Sequence, residues 1–185
     1  MIQKRQTQSK AKIKAAITEL LLKNSDFNSI TIRKITEKAQ VNRSTFYLHY
    51  QDKYDLVDKL AHEVTRDFKE YLMLNSANGR LQENLIQALT YLQSQQKFMY
   101  ALSQIIQINF SQRTRDFIKE LITENPSFFY DSINPSLGLS KEYMLVTYAA
   151  SIESLYIHWI TTGAQESPQE IADMFLVIRG FYQKT

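Results

Sequence analysis

The stretch SITIRKITEKAQVNRSTFYLHYQDKYDLVDKL, residues 29–60, decides the fold. Its apolar residues recur at helical spacing on both sides of Gln40-Val41-Asn42, where the periodicity breaks. The pattern predicts a helix after Thr31, its candidate N-cap, and a second helix that opens at Asn42 or Arg43. Two short helices joined by such a turn are typical of a helix-turn-helix, whose second helix enters the major groove of DNA.

Apolar spacing along the rest of the chain also predicts helices, about nine in all. The first is expected over residues 7–24, and Asp52 is a candidate cap for a long fourth helix. Ser167-Pro168-Gln169-Glu170 has the form of a capping box that opens the last helix. Further stripes predict helices around 81–92, 102–106, 117–122 and 140–162, with a long loop over 125–139.

Breaker residues and cysteine are scarce. The chain has 4 glycines and 3 prolines, all after residue 78, which argues for an all-α fold and against sheets and phosphate-binding loops. The absence of cysteine excludes disulfides, zinc–thiolate sites and thiol catalysis. The three histidines show no metal-ligand spacing, and no nucleophile elbow or P-loop is present. We therefore expect no enzyme activity, no metal and no cofactor.

The charge is unevenly distributed along the chain. Residues 1–53 hold 11 basic and 4 acidic side chains, whereas residues 54–185 hold 11 and 15. The basic segment is either a solvated tail or an electrostatic footprint for nucleic acid. No secretory signal and no apolar run of about 18 residues is visible, which predicts a cytoplasmic protein without a membrane partner.

The segment 29–60 resembles the TetR family of bacterial transcriptional regulators. The residues that stand at the family's spacing are Thr31-Ile32, Ile35, Ala39, Val41, Thr45-Phe46-Tyr47, Tyr50, Lys53 and Leu56. The resemblance covers about residues 7–62. It implies a three-helix DNA-binding domain over residues 1–50, a ligand-binding and dimerisation bundle over 51–185, and a homodimer.

The resemblance also assigns roles to individual side chains. Thr31 and Lys53 are expected to contact phosphates. Arg43, Ser44 and Thr45 are expected to contact bases or the nearby DNA backbone. Tyr47 and His49 are expected to contact the DNA backbone. Phe46 and Tyr50 should pack inward.

Two positions depart from the family pattern. Gln40 stands where the family usually has glycine, so a positive φ there would cost on the order of 1 kcal/mol. Leu48 either meets a thymine methyl or covers the helix.

The body is rich in aromatic residues. Between Tyr91 and Trp159 lie 12 of the 22 aromatics, and most are expected to be core. A minority could line an apolar pocket for an unknown small-molecule effector. The pocket candidates are Tyr91, Tyr100, Gln104, Asn109 and Tyr148.

The segment ESLYIHWITTGAQESPQEIADMF, residues 153–175, resembles the C-terminal part of one TetR subgroup. It implies that the helices near 141–162 and 168–182 meet their copies in a dimer. The interface candidates are Tyr148, Ile152, Leu155, Trp159, Phe175 and Ile178. The alternative is that these stripes are buried within one subunit.

The favoured function is a ligand-responsive regulator, in the first instance a repressor, that binds a near-palindromic double-stranded operator as a homodimer. The alternative is a non-catalytic co-activator or adaptor with the same fold that acts through protein–protein contacts. The joint presence of Thr45, Tyr47, His49 and Lys53 favours the DNA-binding reading.

Overall fold

The computed structural model describes residues 2–24, 26–74, 80–125, 138 and 140–182. These residues form nine α-helices and no strand, which confirms the all-α prediction. The helices are α1 Ile2–Lys23, α2 Ile32–Ala39, α3 Arg43–Tyr47, α4 Lys53–Met73, α5 Leu81–Ser94, α6 Gln96–Ser103, α7 Phe110–Glu124, α8 Lys141–Thr161 and α9 Pro168–Tyr182. Short 3-10 helices cover Phe27–Ser29 and Ile106–Ile108.

The predicted helix caps are confirmed. The Thr31 hydroxyl oxygen accepts a hydrogen bond from the Lys34 N–H at 3.2 Å, as an N-cap should. At the start of α9 the Ser167 N–H donates to Glu170 Oε2 at 2.8 Å, and the Glu170 N–H donates to Ser167 Oγ at 3.3 Å. This reciprocal pair is a capping box. Asp52 Oδ1 caps α4 by accepting from two first-turn N–H groups.

Two helices differ from their predicted bounds. Helix α1 begins at Ile2 because its first turns are polar residues of good helix propensity, which apolar spacing does not reveal. Helix α6 ends at Ser103. Ile105 follows it with its N–H donating to Leu102 O, and Ile106 opens a 3-10 helix. Most of the predicted loop, residues 126–137 and 139, lies outside the described residues.

The chain divides into two compact units. The first comprises Met1–Val64 and Lys97–Ile108, and in it α1 packs on α2, and α2 on α3. Its core contains Ile13, Ile17, Ile35, Phe46 and Leu56, all fully buried. The basic residues described between Lys10 and Lys53 therefore lie on a packed helical unit rather than in a solvated tail.

The second unit comprises Thr65–Gln96 and Asn109–Thr185. Within it α5 and α8 both pack on α9, and α7 packs on α8. The Trp159 indole N–H donates to the carbonyl of Glu166 at 3.0 Å, which ties α8 to the segment before α9. Gly163 has φ +98, in keeping with its predicted place at the end of α8. Among the described residues, no helix has the length and apolar character needed to cross a membrane.

Candidate nucleic-acid interface

The turn between α2 and α3 has a left-handed backbone at Gln40, where the TetR family usually has glycine. Gln40 adopts φ 53 and ψ 46, and the N–H of the next residue, Val41, donates to Thr36 O at 3.1 Å. The conformation costs a residue with a Cβ about 1 kcal/mol relative to glycine. Gln40 is exposed, so its side chain gains no burial to offset that strain.

Helix α3 is oriented by two buried aromatic residues. Phe46 is fully buried and Tyr50 nearly so, which confirms their predicted inward packing. The two rings contact each other with centroids 5.6 Å apart. Burial raises the pKa of the Tyr50 hydroxyl to about 12, with smaller contributions from Glu63 and Asp55, so the ring stays neutral.

The opposite side of α3 faces solvent. Arg43 and Ser44 are exposed, Tyr47 keeps 50% of its surface exposed and Leu48 keeps 75%, while Thr45 is half-buried. The Tyr47 ring lies nearly perpendicular to that of Phe46, with the centroids 5.6 Å apart, so it contacts the core while half of its surface stays exposed. An outward row of guanidinium, hydroxyl and phenol groups suits base edges and phosphates.

His49 lies at the end of the same helical turn and is half-buried. Its burial, together with the charge of Lys10, lowers the pKa of the imidazole. The Lys59 ammonium donates to the His49 carbonyl at 3.2 Å and to Asp55 at 2.9 Å, which fixes the backbone there. The lowered pKa favours the neutral form of the His49 imidazole in the free protein.

Thr31 and Lys53 are the two residues for which a phosphate contact is predicted. Thr31 is exposed, and because its oxygen serves as the N-cap, its O–H proton is still available to a phosphate. Lys53 instead donates to three carbonyls within the chain, those of Phe27, Asn28 and Ile30. Its phosphate contact is not tested by the structure, but its ammonium already has a full set of acceptors.

The five pocket candidates fall in different units. Tyr100 and Gln104 belong to the first unit, where Gln104 lines a cavity of about 100 Å³ beside Leu21, Phe27 and Ile105. The other candidates belong to the second unit: Asn109 precedes α7 with φ 48, Tyr91 donates its hydroxyl to Asp67 at 2.9 Å, and Tyr148 packs on Ile122 and Met144. A common effector pocket thus stays a prediction.

The structure corrects the dimer prediction at two residues. Trp159 has no exposed surface and Phe175 only 7%, because both fill the core of a single chain. Neither side chain is available to a second copy. Tyr148, Ile152, Leu155 and Ile178 are half-buried.

Other residues form the exposed apolar face of the last two helices. On α9 the exposed apolar residues are Met174, Val177 and Phe181. Val177 has 61% of its surface exposed and Phe181 has 72%. On α8 they are Tyr143 and Val146. The sequence did contain a signal for this face, because α9 carries apolar residues on two sides, but apolar spacing alone does not tell which side is inside.

A buried polar cluster between α7 and α8 was not predicted. Glu153 is 4% exposed and accepts hydrogen bonds from Ser111 Oγ and, at 3.1 Å, from the Arg115 guanidinium. Arg115 Nε and the Tyr156 hydroxyl are buried without a hydrogen-bond partner among the described residues. The available signal was an acidic residue inside the apolar stripe of α8.

The fold and this surface define a helix-turn-helix DNA-binding transcriptional regulator. The family profile described as bacterial regulatory proteins, tetR family, matches residues 15–60. A second profile, the transcriptional regulator C-terminal region, matches residues 79–179, more than half of the chain. The chain belongs to the TetR family and is a DNA-binding regulator rather than an enzyme.

The similarity to a curated relative is confined to a short segment. The uncharacterized HTH-type transcriptional regulator YxbF of Bacillus subtilis (strain 168) is 39% identical over 64 residues. That segment covers 35% of this chain and 16% of the relative.

Solved structures of regulators share the whole fold. The dihydroxyacetone kinase operon activator DhaS aligns with a TM-score of 0.63 at 20% identity, covering 95% of this chain and 98% of that one. A TetR transcriptional regulator from Streptococcus agalactiae 2603V aligns with a TM-score of 0.62 at 19% identity, covering 98% of this chain and 97% of that one. NalD of Pseudomonas aeruginosa, the secondary repressor of the MexAB-OprM multidrug efflux pump, aligns with a TM-score of 0.59 at 16% identity. The alignment covers 95% of this chain and 96% of that one.

Proposed function

We propose that this chain is a ligand-responsive repressor that binds a near-palindromic operator as a homodimer. The observation that carries the proposal is the outward face of α3. Arg43, Ser44 and Tyr47 point to solvent while Phe46 and Tyr50 fasten the helix to the core. This arrangement presents polar side chains from a fixed backbone, in a segment of net positive charge.

The contacts divide by chemistry. Arg43, Ser44 and Thr45 open α3, from where side chains reach base edges in the major groove. Tyr47 and His49 follow, and we assign them to the DNA backbone. The exposed Thr31 hydroxyl, at the start of α2, donates to a further phosphate.

A second copy would cover the exposed apolar face of α8 and α9. Val177 and Phe181 keep most of their surface in contact with water, which is costly for large apolar groups at adjacent turns of one helix. A two-fold dimer repeats every contact on both subunits. Two recognition helices related in this way read half-sites about 34–36 Å apart, hence the near-palindrome.

We place the effector in the body, residues 51–185, and DNA reading in residues 1–50. The cluster of Glu153, Arg115 and Ser111 puts hydrogen-bonding groups within an aromatic-rich core, and no described residue offers the Tyr156 hydroxyl a hydrogen-bond partner. Orphaned polar groups of this kind suit a ligand with polar atoms on an apolar body. By linkage, an inducer must bind the DNA-free form more tightly.

Repression needs less surface than activation. A dimer seated on an operator blocks a promoter by occupancy alone, whereas an activator must also contact the transcription machinery. DhaS is described as an operon activator and NalD as a repressor, and their likeness to this chain extends to the fold only. As a protein acting on bacterial DNA, it would work in the cytoplasm.

The test is binding to duplexes taken from the DNA that flanks its gene. We expect one fragment to bind in preference to the others, with an affinity that falls steeply with salt. Tyr47→Ala should abolish this preference, whereas Tyr71→Ala, an exposed tyrosine of the second unit, should retain it. Equal binding to every fragment would contradict the proposal. Regulation that survives Tyr47→Ala would support the adaptor alternative.

A further inference from the structure

Lys53 is held in a set of internal contacts that nothing in its predicted role requires. Its Nζ donates to the carbonyl oxygens of Phe27 at 2.8 Å, Asn28 at 3.0 Å and Ile30 at 3.0 Å. An ammonium has three N–H donors, so these three acceptors use all of them. We call Lys53 and these three carbonyls the Lys53 clasp.

Two aromatic rings enclose the clasp. The ammonium lies 4.6 Å from the centroid of the Phe27 ring and 5.5 Å from that of Tyr54. The rings meet edge-on at 5.2 Å, and the Tyr54 hydroxyl donates to Asn28 Oδ1 at 3.2 Å. The cation thus gains attraction from two ring faces as well as from the carbonyls.

The start of α4 is not arranged to receive a phosphate. Asp52 Oδ1 accepts from the N–H groups of Tyr54 and Asp55, both at 2.8 Å. The Asp55 carboxylate accepts from the Gln51 N–H at 2.8 Å. Two carboxylates therefore flank Lys53. That of Asp52 occupies two first-turn donors of α4 that an anion would otherwise use, and that of Asp55 occupies the N–H of Gln51, just before the helix.

The clasp lies next to a predicted DNA-contacting residue. The three carbonyls belong to the 3-10 helix Phe27–Ser29 and to Ile30, the residue immediately before Thr31. Phe27 and Ile30 are buried, so the turn is attached to the core at both ends. The Lys34 ammonium adds a further bond, to Ser29 O at 2.9 Å. Thr31 therefore directly follows a turn whose carbonyls are hydrogen-bonded to Lys53 of α4.

We propose that Lys53 is a positioning residue for operator binding: it holds the turn that places Thr31 and the start of α2, and its ammonium does not touch phosphate. The proposal rests on the proposed DNA-binding function. It makes the identity of the cation matter, because a tetrahedral ammonium matches three converging carbonyls and a planar guanidinium does not.

The test uses the full-length protein and the fragment of gene-flanking DNA that binds best. Lys53→Met keeps most of the stem and removes the charge, Lys53→Arg keeps the charge, and Lys97→Met removes a charge from an exposed lysine of α6 as a control. We expect both Lys53 variants to lose at least tenfold in affinity while the salt dependence keeps the wild-type slope. Lys97→Met should bind like the wild type.

A phosphate contact gives the opposite pattern. Arginine would then restore the affinity, and methionine would lower the slope of log K against log salt by about 0.9 per subunit. Either result overturns the proposal. Double-mutant cycles with Thr31→Val add a check, since positioning through Thr31 makes the two losses non-additive and independent contacts make them additive.

A measurement on the free wild-type protein covers the case in which the variants fail to fold. The clasp predicts a lysine side-chain ammonium resonance that exchanges slowly with water near neutral pH and keeps its shift when DNA is added. A Lys53 ammonium that exchanges rapidly in the free protein, or shifts on DNA binding, contradicts the clasp. The exchange measurement on the free protein tests the clasp even if no duplex binds. A failure of every duplex to bind would count against the proposed function and not against the clasp.

Discussion

The helix-turn-helix surface and the exposed face of α8 and α9 each place a buried and an exposed aromatic residue close together in the chain. In the helix-turn-helix, buried Phe46 is followed directly by exposed Tyr47, so neighbouring residues have opposite roles. In α9, Phe175 is buried and Phe181 is exposed although both are phenylalanines on one helix. Residue type alone therefore separates core from surface in neither region, since Tyr47 is exposed and Tyr50 is buried. The family motif predicts which of these two tyrosines packs inward, whereas apolar spacing leaves the inner side of α9 undecided.

The largest expected effect comes from Trp159, which the structure moves from the interface to the core. Trp159→Ala should lower the free energy of unfolding by about 3–5 kcal/mol, since it removes a fully buried ring and leaves a cavity. Urea unfolding followed by circular dichroism measures this. A variant of wild-type stability that turns monomeric would return Trp159 to the interface.

Phe181 should behave in the reverse manner. Phe181→Glu puts a charge on the exposed face of α9, so we expect monomers in sedimentation with helical content unchanged. Gln165→Glu adds the same charge at an exposed position outside both helices and should leave the association state as in the wild type. Dimers that survive Phe181→Glu would remove this face from the interface.

Within α3, the two neighbouring aromatics should separate stability from DNA affinity. Phe46→Ala should cost about 3–5 kcal/mol of stability, because the ring is fully buried. Tyr47→Ala should leave the melting temperature within a degree or two and weaken operator binding at least tenfold. Thermal melts and fluorescence anisotropy on the same samples make the comparison. Similar melting losses in both variants would contradict the outward role of Tyr47.

His49 predicts a pH dependence of DNA binding. Burial and Lys10 lower the pKa of the free imidazole, whereas a nearby phosphate raises it. The affinity should therefore increase as the pH falls from 7.5 to 6, by up to about tenfold per unit of pKa difference. In His49→Gln this increase should be smaller. Because the folded pKa is depressed, protonation also lowers stability, so folding is monitored at each pH.

The smallest effect concerns the turn. Gln40→Gly should raise the free energy of unfolding by roughly 0.5 kcal/mol, because relief of left-handed strain slightly exceeds the entropy that glycine loses. Gln40→Ala retains the strain and should give no gain. Equal effects of the two substitutions in denaturant titrations would show that the positive φ carries no cost.

Local features were predictable from sequence, and distant pairings were not. The Thr31 cap, the strained Gln40 and the Ser167–Glu170 box each depend on residues within a few positions of one another. The Arg115–Glu153 ion pair joins residues 38 positions apart, and the Lys53 clasp spans 23 to 26. Spacing rules carry no information at such separations. They also leave the inner side of α9 undecided, because both of its sides are apolar.

Footprinting on the gene-flanking DNA tests the central claim most directly. A dimer that reads DNA through α3 should protect two half-sites related by a two-fold axis, with centres about 34–36 Å apart along the duplex. Tyr47→Ala should lose both protected regions together. A single unsymmetrical footprint, or protection unaffected by Tyr47→Ala, would contradict the account.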